Sequence, residues 1–165
     1  MDRWRDALIS HMRDVFGSDR RRIEHALRVT EFAEKLLECE GGDREVVVAA
    51  AVLHDIGIQA AEKNHGSAAG PYQELEGPPI ARRILTQLGA RLELIEEVCT
   101  IIGSHHSPGE VQTKNFDLVW DADWLVNLPE EQDLSDSAAS SRRISKIFRT
   151  AAGRELASRL FLKER

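Results

Sequence analysis

Apolar residues return every three or four positions through most of this chain, a spacing that predicts helices. Trp4, Leu8, Met12 and Val15 outline an amphipathic first helix that stops at Phe16-Gly17. Ser18 or Asp19 caps a second, which runs to about Glu40 and is ended by Gly41-Gly42. Its inward face reads Ile23, Ala26, Val29, Phe32, Ala33, Leu36 and Leu37. From Val46 to Asp55 the pattern changes, because the run is apolar almost without interruption until it meets His54 and Asp55. Capped by Asp43 and released by Gly57, this stretch predicts a helix buried on every side. It is too short to span a bilayer, which takes about 20 apolar residues.

Beyond Gly57 the periodicity loosens, and Gln59 to Gln73 reads as a long loop, a lid or binding segment with Lys63, Asn64 and His65 as its polar candidates. Gly77-Pro78-Pro79 then opens a helix carrying Ile80, Ile84, Leu85 and Leu88, since proline is tolerated in a first turn. Another runs from about Arg91 to Gly103 and gives way to a turn-rich segment, Gly103 to Gly109, that holds His105 and His106. Asn115 is the expected cap of a helix over Phe116 to Asn127, and Pro129 to Ser141 the expected polar connection after it. Ile144, Ile147, Phe148, Leu156, Leu160 and Phe161 mark one or two closing helices, with Gly153 as a break. No stretch alternates with period two long enough for a strand. The expected architecture is an all-α, single-domain helical bundle.

At 165 residues the chain is long enough for one domain with a real core. A net charge of -6 argues against a broad nucleic-acid surface, yet leaves room for a small phosphorylated substrate in a locally cationic pocket. Cys39 and Cys99 stand far apart, so neither a disulfide framework nor a thiolate zinc cage is indicated. Met1 to Phe16 is charged throughout, without a signal-like apolar core, and a cytoplasmic, membrane-free protein is expected.

The chemistry lies in polar groups on apolar helices. His25 falls on the inward side of the second helix, His54 and Asp55 end the buried one, and Asp123 sits on the apolar helix after Asn115. Burying such carboxylates costs several kcal/mol or more unless their charge is compensated. Two imidazoles and two carboxylates suit a divalent cation accepting mixed nitrogen and oxygen ligands, such as Mn, Fe, Co, Ni or Zn, with Mg kept open. Asp121 lies about 200° around its helix from Asp123, so a regular helix cannot aim both at one point. His11 reads as a surface or half-buried histidine without chemistry. The chain has no phosphate-binding glycine loop with its lysine and no nucleophile elbow. A glycosidase-like pairing of Asp55 with Asp123 is less apt than a metal, given the two histidines.

His25, the run His54-Asp55-Ile56-Gly57 and Asp123 within Asp-Ala-Asp-Trp-Leu resemble the H…HD…D signature of the HD-domain superfamily. The likeness covers about residues 21–127, the core of a single domain over 1–165 on which the first and last helices would pack. It implies a metal-dependent phosphohydrolase cleaving a phosphate ester of a nucleotide or related small metabolite with a metal-activated water. His25, His54, Asp55 and Asp123 would hold the ion, with His54 and Asp55 also catalytic. The family context prefers Asp123 over Asp121, and Asn127 is similar to a substrate-side asparagine of some members. Subfamilies with two metals place further ligands in between, where this chain offers Glu76, His105 and His106. Lys63 and Arg28 are substrate-phosphate candidates, beside Arg82 and Arg83. Two alternatives stay open, a di-iron oxygenase of the same superfamily and a non-catalytic nucleotide-sensing module. A homodimer is a further expectation.

Overall fold

The buried stretch becomes α3 (Arg44–Leu53), and the computed structural model, which describes residues 2–107, 109 and 111–162, is built around it. Asp43 accepts a hydrogen bond from the Val46 amide at 3.2 Å, and every residue from Val46 to Leu53 is buried. Four of these are valines, whose helix propensity is poor by well under 1 kcal/mol each. Full burial of a valine side chain yields roughly 1.5–3 kcal/mol, so packing decides. The helices around it are α1 (Asp2–Phe16), α2 (Arg20–Glu40), α6 (Leu92–Ile102) and α7 (Lys114–Glu131). Leu8 and Met12 of α1, Ala26, Val29 and Ala33 of α2, and Val98 and Ile102 of α6 fill the shared core. Among the described residues there are nine helices and no strand, and no helix is long and apolar enough to cross a membrane.

The long loop expected over Gln59–Gln73 is largely helix. α4 (Ile58–His65) closes on Gly66, which takes the left-handed conformation at φ 70° and returns its N–H to the Glu62 carbonyl at 2.9 Å. After a short connection α5 (Gly70–Gln87) begins, with Pro71 in its first turn. Pro78 and Pro79, expected to open this helix, therefore lie inside it. Gly66, Gly70 and Pro71 are the two ends of a helical hairpin rather than the body of a loop, and Ala60, Ala61 and Glu62 supply good helix formers in between. Turn residues so close together hid the two helices they terminate.

α7 is capped by Thr113, whose hydroxyl accepts from the Phe116 amide at 3.2 Å, and not by Asn115. Asn115 is spent on a cross-link, accepting from the Asp43 amide at 2.9 Å and donating to Glu97 at 2.7 Å. The helix also continues through Pro129 to Glu131, leaving only 132–136 as connection before α8 (Ser137–Ile147). The chain breaks next at Phe148–Thr150, ahead of α9 (Ala151–Phe161), so that Gly153 sits in the first turn of α9. The Asp121 carboxylate leaves no room for a Cβ there, which accounts for the glycine.

Candidate metal centre

Four side chains from three parts of the chain converge where α2, α7 and the end of α3 meet. His25 Nε2 lies 3.2 Å from His54 Nε2, 3.0 Å from Asp123 Oδ1 and 3.4 Å from Asp55 Oδ2. His54 Nε2 lies 3.2 Å from Asp55 Oδ2 and 3.3 Å from Asp123 Oδ1. Donors about 2.0–2.2 Å from a common divalent centre stand about 2.8–3.1 Å apart along the edges of an octahedron and about 3.3–3.6 Å apart along those of a tetrahedron. The five observed spacings, 3.0–3.4 Å, lie within the span those two geometries cover, so the donor set fits a metal ion in both chemistry and distance. His25, His54 and Asp55 each bring a donor within 4.8 Å of the others, and Asp123 joins through both imidazoles.

Backbone geometry aims these groups. His54 Nδ1 donates to the Ala51 carbonyl at 2.7 Å, which leaves Nε2 as the lone pair when the ring is neutral. Asn127 donates to Asp123 Oδ1 at 3.0 Å from one turn further along α7 and fixes that carboxylate. The His54 side chain is fully buried. Burial opposes its charge, but Asp55 and Asp123 outweigh burial and push its pKa well above the usual histidine value. Burial would likewise raise both carboxyls, and the facing imidazoles instead hold Asp55 and Asp123 below the ordinary range. Without a metal, a proton on His54 takes the place of the cation.

A second group adjoins the first through the other oxygen of Asp55. His105 Nδ1 donates to the Ile102 carbonyl at 2.6 Å, the same helix-end device that orients His54. Its Nε2, 3.4 Å from Asp55 Oδ1, is buried without a hydrogen-bond partner. Asp55, His105 and His106 bring one donor each within 4.8 Å. His106 Nε2 donates at 3.0 Å to the amide oxygen of Gln73, whose own nitrogen donates to the Ala68 carbonyl at 2.6 Å. Burial first, and His105 second, push the His106 pKa down, which favours its neutral ring. Pro108 and Glu110, just beyond, lie outside the described residues.

The other positions named from the sequence separate. Arg28 and Asn127 line the cleft onto which the donor set opens. Glu76 is not gathered with His105 and His106; it accepts from Asn64 at 3.2 Å and pairs with His65 at 3.0 Å, closing the α4–α5 hairpin. Lys63 is exposed on α4 and is not part of the cleft wall. Asp121 faces away from the centre, as the helix angle requires. Fully buried, it accepts from the amides of Arg149 and Thr150 and from the Thr150 hydroxyl at 2.8, 2.9 and 2.7 Å. It anchors the start of α9.

Several cleft residues were not found from the sequence. Arg21 and Glu24 on α2, and Glu130 and Glu131 on α7, line the cleft, as does Gln73 from α5. The first four continue the helical stripes that carry His25 and Asp123, and that continuation was a usable signal. Gln73 had none, because its place depends on the unforeseen hairpin.

A family model described as HD domain matches residues 22–138. Among solved structures the chain is similar to a crystal structure of a predicted HD superfamily hydrolase from an uncultured Thermotogales bacterium. The two share 25% identity, the match covers 92% of this chain and 82% of that one, and the TM-score is 0.68. No curated protein matches the chain.

Proposed function

The chain belongs to the HD-domain family, and from that premise we propose that it is a metal-dependent phosphohydrolase acting on a phosphate ester of a nucleotide or related small metabolite. The observation that carries the reading is the convergence of His25, His54, Asp55 and Asp123 with donor spacings of 3.0–3.4 Å. A divalent ion held by these residues supplies Lewis acidity toward a phosphoryl oxygen and a water acidic enough to attack near neutral pH. The protein supplies the remainder. Asp55 keeps one oxygen with His25 and His54 and turns the other toward His105, where it can accept a hydrogen bond from the attacking water. Arg28, exposed on the cleft wall, offers a fork of donors to the non-bridging phosphate oxygens.

The test is hydrolysis of a phosphate-ester panel by protein loaded in turn with Mn, Fe, Co, Ni, Zn and Mg, alongside elemental analysis. Asp55→Ala is expected to abolish turnover, by a factor of about a thousand or more, with the helical circular dichroism retained. Undiminished turnover in that variant would remove the catalytic assignment.

The orphaned His105 Nε2 beside Asp55 Oδ1 favours a second ion and with it a second reading. Two irons per chain, dioxygen consumption and no phosphate release would move the assignment to a di-iron oxygenase.

A further inference from the structure

The cleft above the metal donors has a volume of about 730 Å³, large enough for a whole small metabolite. Its wall is unusual in what it is made of. Ile58 and Val126 are its only aliphatic members, and no Phe, Tyr or Trp lines it among the described residues. The two rings present are both engaged. His25 belongs to the metal donors, and His106 lies 3.9 Å, centroid to centroid, from His105 while its edge is held by Gln73. Gly70 lies beside the same ring, since a Cβ there would stand 3.2 Å from His106 Cγ and 3.5 Å from Cδ2. Apart from the exposed His106 ring, whose edge Gln73 holds, a nucleobase entering this cleft finds no aromatic face outside the metal donors.

What the cleft offers instead is donors and acceptors in alternation. α2 and α7 run antiparallel, because Lys114 at the start of α7 reaches the Glu40 carbonyl at the end of α2 while His25 meets Asp123. Residues before His25 therefore stand alongside those after Asp123. On the α2 side are Arg21, Glu24 and Arg28, and on the α7 side Asn127, Glu130 and Glu131. None of the five charged residues makes an ion pair among the described residues, whereas the neighbouring Arg22 is held by Asp19 at 3.0 Å and Glu62 at 2.7 Å. Interspersed guanidinium and carboxylate groups match a ligand whose groups both donate and accept, which is the property of hydroxyls. A second phosphate beyond the metal would meet Glu24, Glu130 and Glu131 beside Arg21, so carboxylates outnumber the free cation there and disfavour it.

We infer that the ester cleaved here is a monophosphate whose remaining part is compact, hydroxyl-rich and free of a base: a sugar or polyol phosphate. The inference rests on the phosphohydrolase reading of the same site and narrows it. Arg28 and the metal donors receive the phosphoryl group, and the Asn127–Glu131 stripe together with Arg21 receives the hydroxyls.

Ribose 5-phosphate and adenosine 5′-monophosphate form a matched pair that differs only by the base. Metal-loaded protein is expected to give ribose 5-phosphate a kcat/KM at least equal to that of the nucleotide. A site that stacks the base would favour the nucleotide about tenfold or more. The double variant Glu130→Gln/Glu131→Gln is expected to lower the ratio of kcat/KM for ribose 5-phosphate over p-nitrophenyl phosphate by about fivefold or more, mainly through KM. A tenfold preference for the nucleotide, or an unmoved ratio in the variant, overturns the inference while leaving the phosphohydrolase intact. Should no ester be hydrolysed under any metal, the phosphohydrolase reading fails by itself, and calorimetric titration with the same two compounds still decides this one. Binding of ribose 5-phosphate at least as tight as the nucleotide then sustains the sugar-phosphate ligand class without its cleavage; binding of the nucleotide alone, or of neither, overturns it.

Discussion

Asp121 and Asp123 are two residues apart on one helix, carry the same functional group, and do unrelated work. Asp123 joins His25 and His54, whereas Asp121 holds the chain at Arg149 and Thr150. Removing either carboxylate should therefore fail differently. Asp121→Ala strands two buried amides and a hydroxyl, each costing about 1–3 kcal/mol but not additively, so a loss of about 3 kcal/mol in urea unfolding is expected with metal content unchanged. Asp123→Asn keeps the shape and removes a charged ligand, so metal content should drop, and the metal-free fold should lose the part of its stability that comes from the Asp123 charge facing His54. Equal metal loss in both variants would contradict this division. The same residues show what was legible. His25, His54, Asp55 and Asp123 stood out because each is a polar group on an otherwise apolar stripe, and the face of a helix follows from spacing alone. The pairing of Glu76 with Asn64 and His65 did not, since it depends on where a hairpin turns.

At the scale of elements, the site depends on how closely α5 approaches the turn after Asp55. A Cβ on Gly57 would stand 2.5 Å from the Gly77 amide nitrogen, 2.8 Å from Gly77 Cα and 2.9 Å from the Gln73 carbonyl oxygen. All three are backbone atoms and cannot rotate away. Gly57 has an ordinary helical φ of -84°, so contact rather than dihedral freedom demands the glycine. Gly57→Ala should push α5 off the turn, at a cost near the upper end of the roughly 1–3 kcal/mol typical of overpacking. Because Gln73 also holds His106, the variant should weaken metal binding along with stability. Gly77→Ala meets only the Ile102 Cγ2 methyl at 2.8 Å on the far side and should be the milder change. Thermal melts and metal titrations of the pair measure the order. This contact also explains why the sequence was a poor guide between Gln59 and Pro79. Local signals there describe where glycine and proline are tolerated, but a glycine kept for a close approach and one kept for a turn look identical in one dimension. Elements with long periodic faces, such as α2 and α6, needed no such information.

Over the whole molecule, the centre ties folding to both protons and metal. In the metal-free protein His54 has a raised pKa, and a raised histidine stabilises the fold below its unfolded value of about 6.5, an advantage lost as pH rises through the folded value. Asp55 and Asp123 are depressed, so their contribution is present above about pH 3.9 and disappears only as pH falls through their folded values. Metal-free protein should thus be most stable in mildly acidic solution and lose Tm on the alkaline side. A metal ion needs the His54 Nε2 lone pair and displaces its proton, so apparent affinity should improve by up to about tenfold per pH unit until the folded His54 pKa is passed. The Tm gain produced by metal must then grow with pH over the range in which the metal-free protein weakens. Paired melts with chelator and with saturating metal, from about pH 5.5 to about pH 8.5, read both slopes at once. A metal-induced gain that stays constant across that range would mean that no proton leaves on binding, and that His54 is not among the ligands.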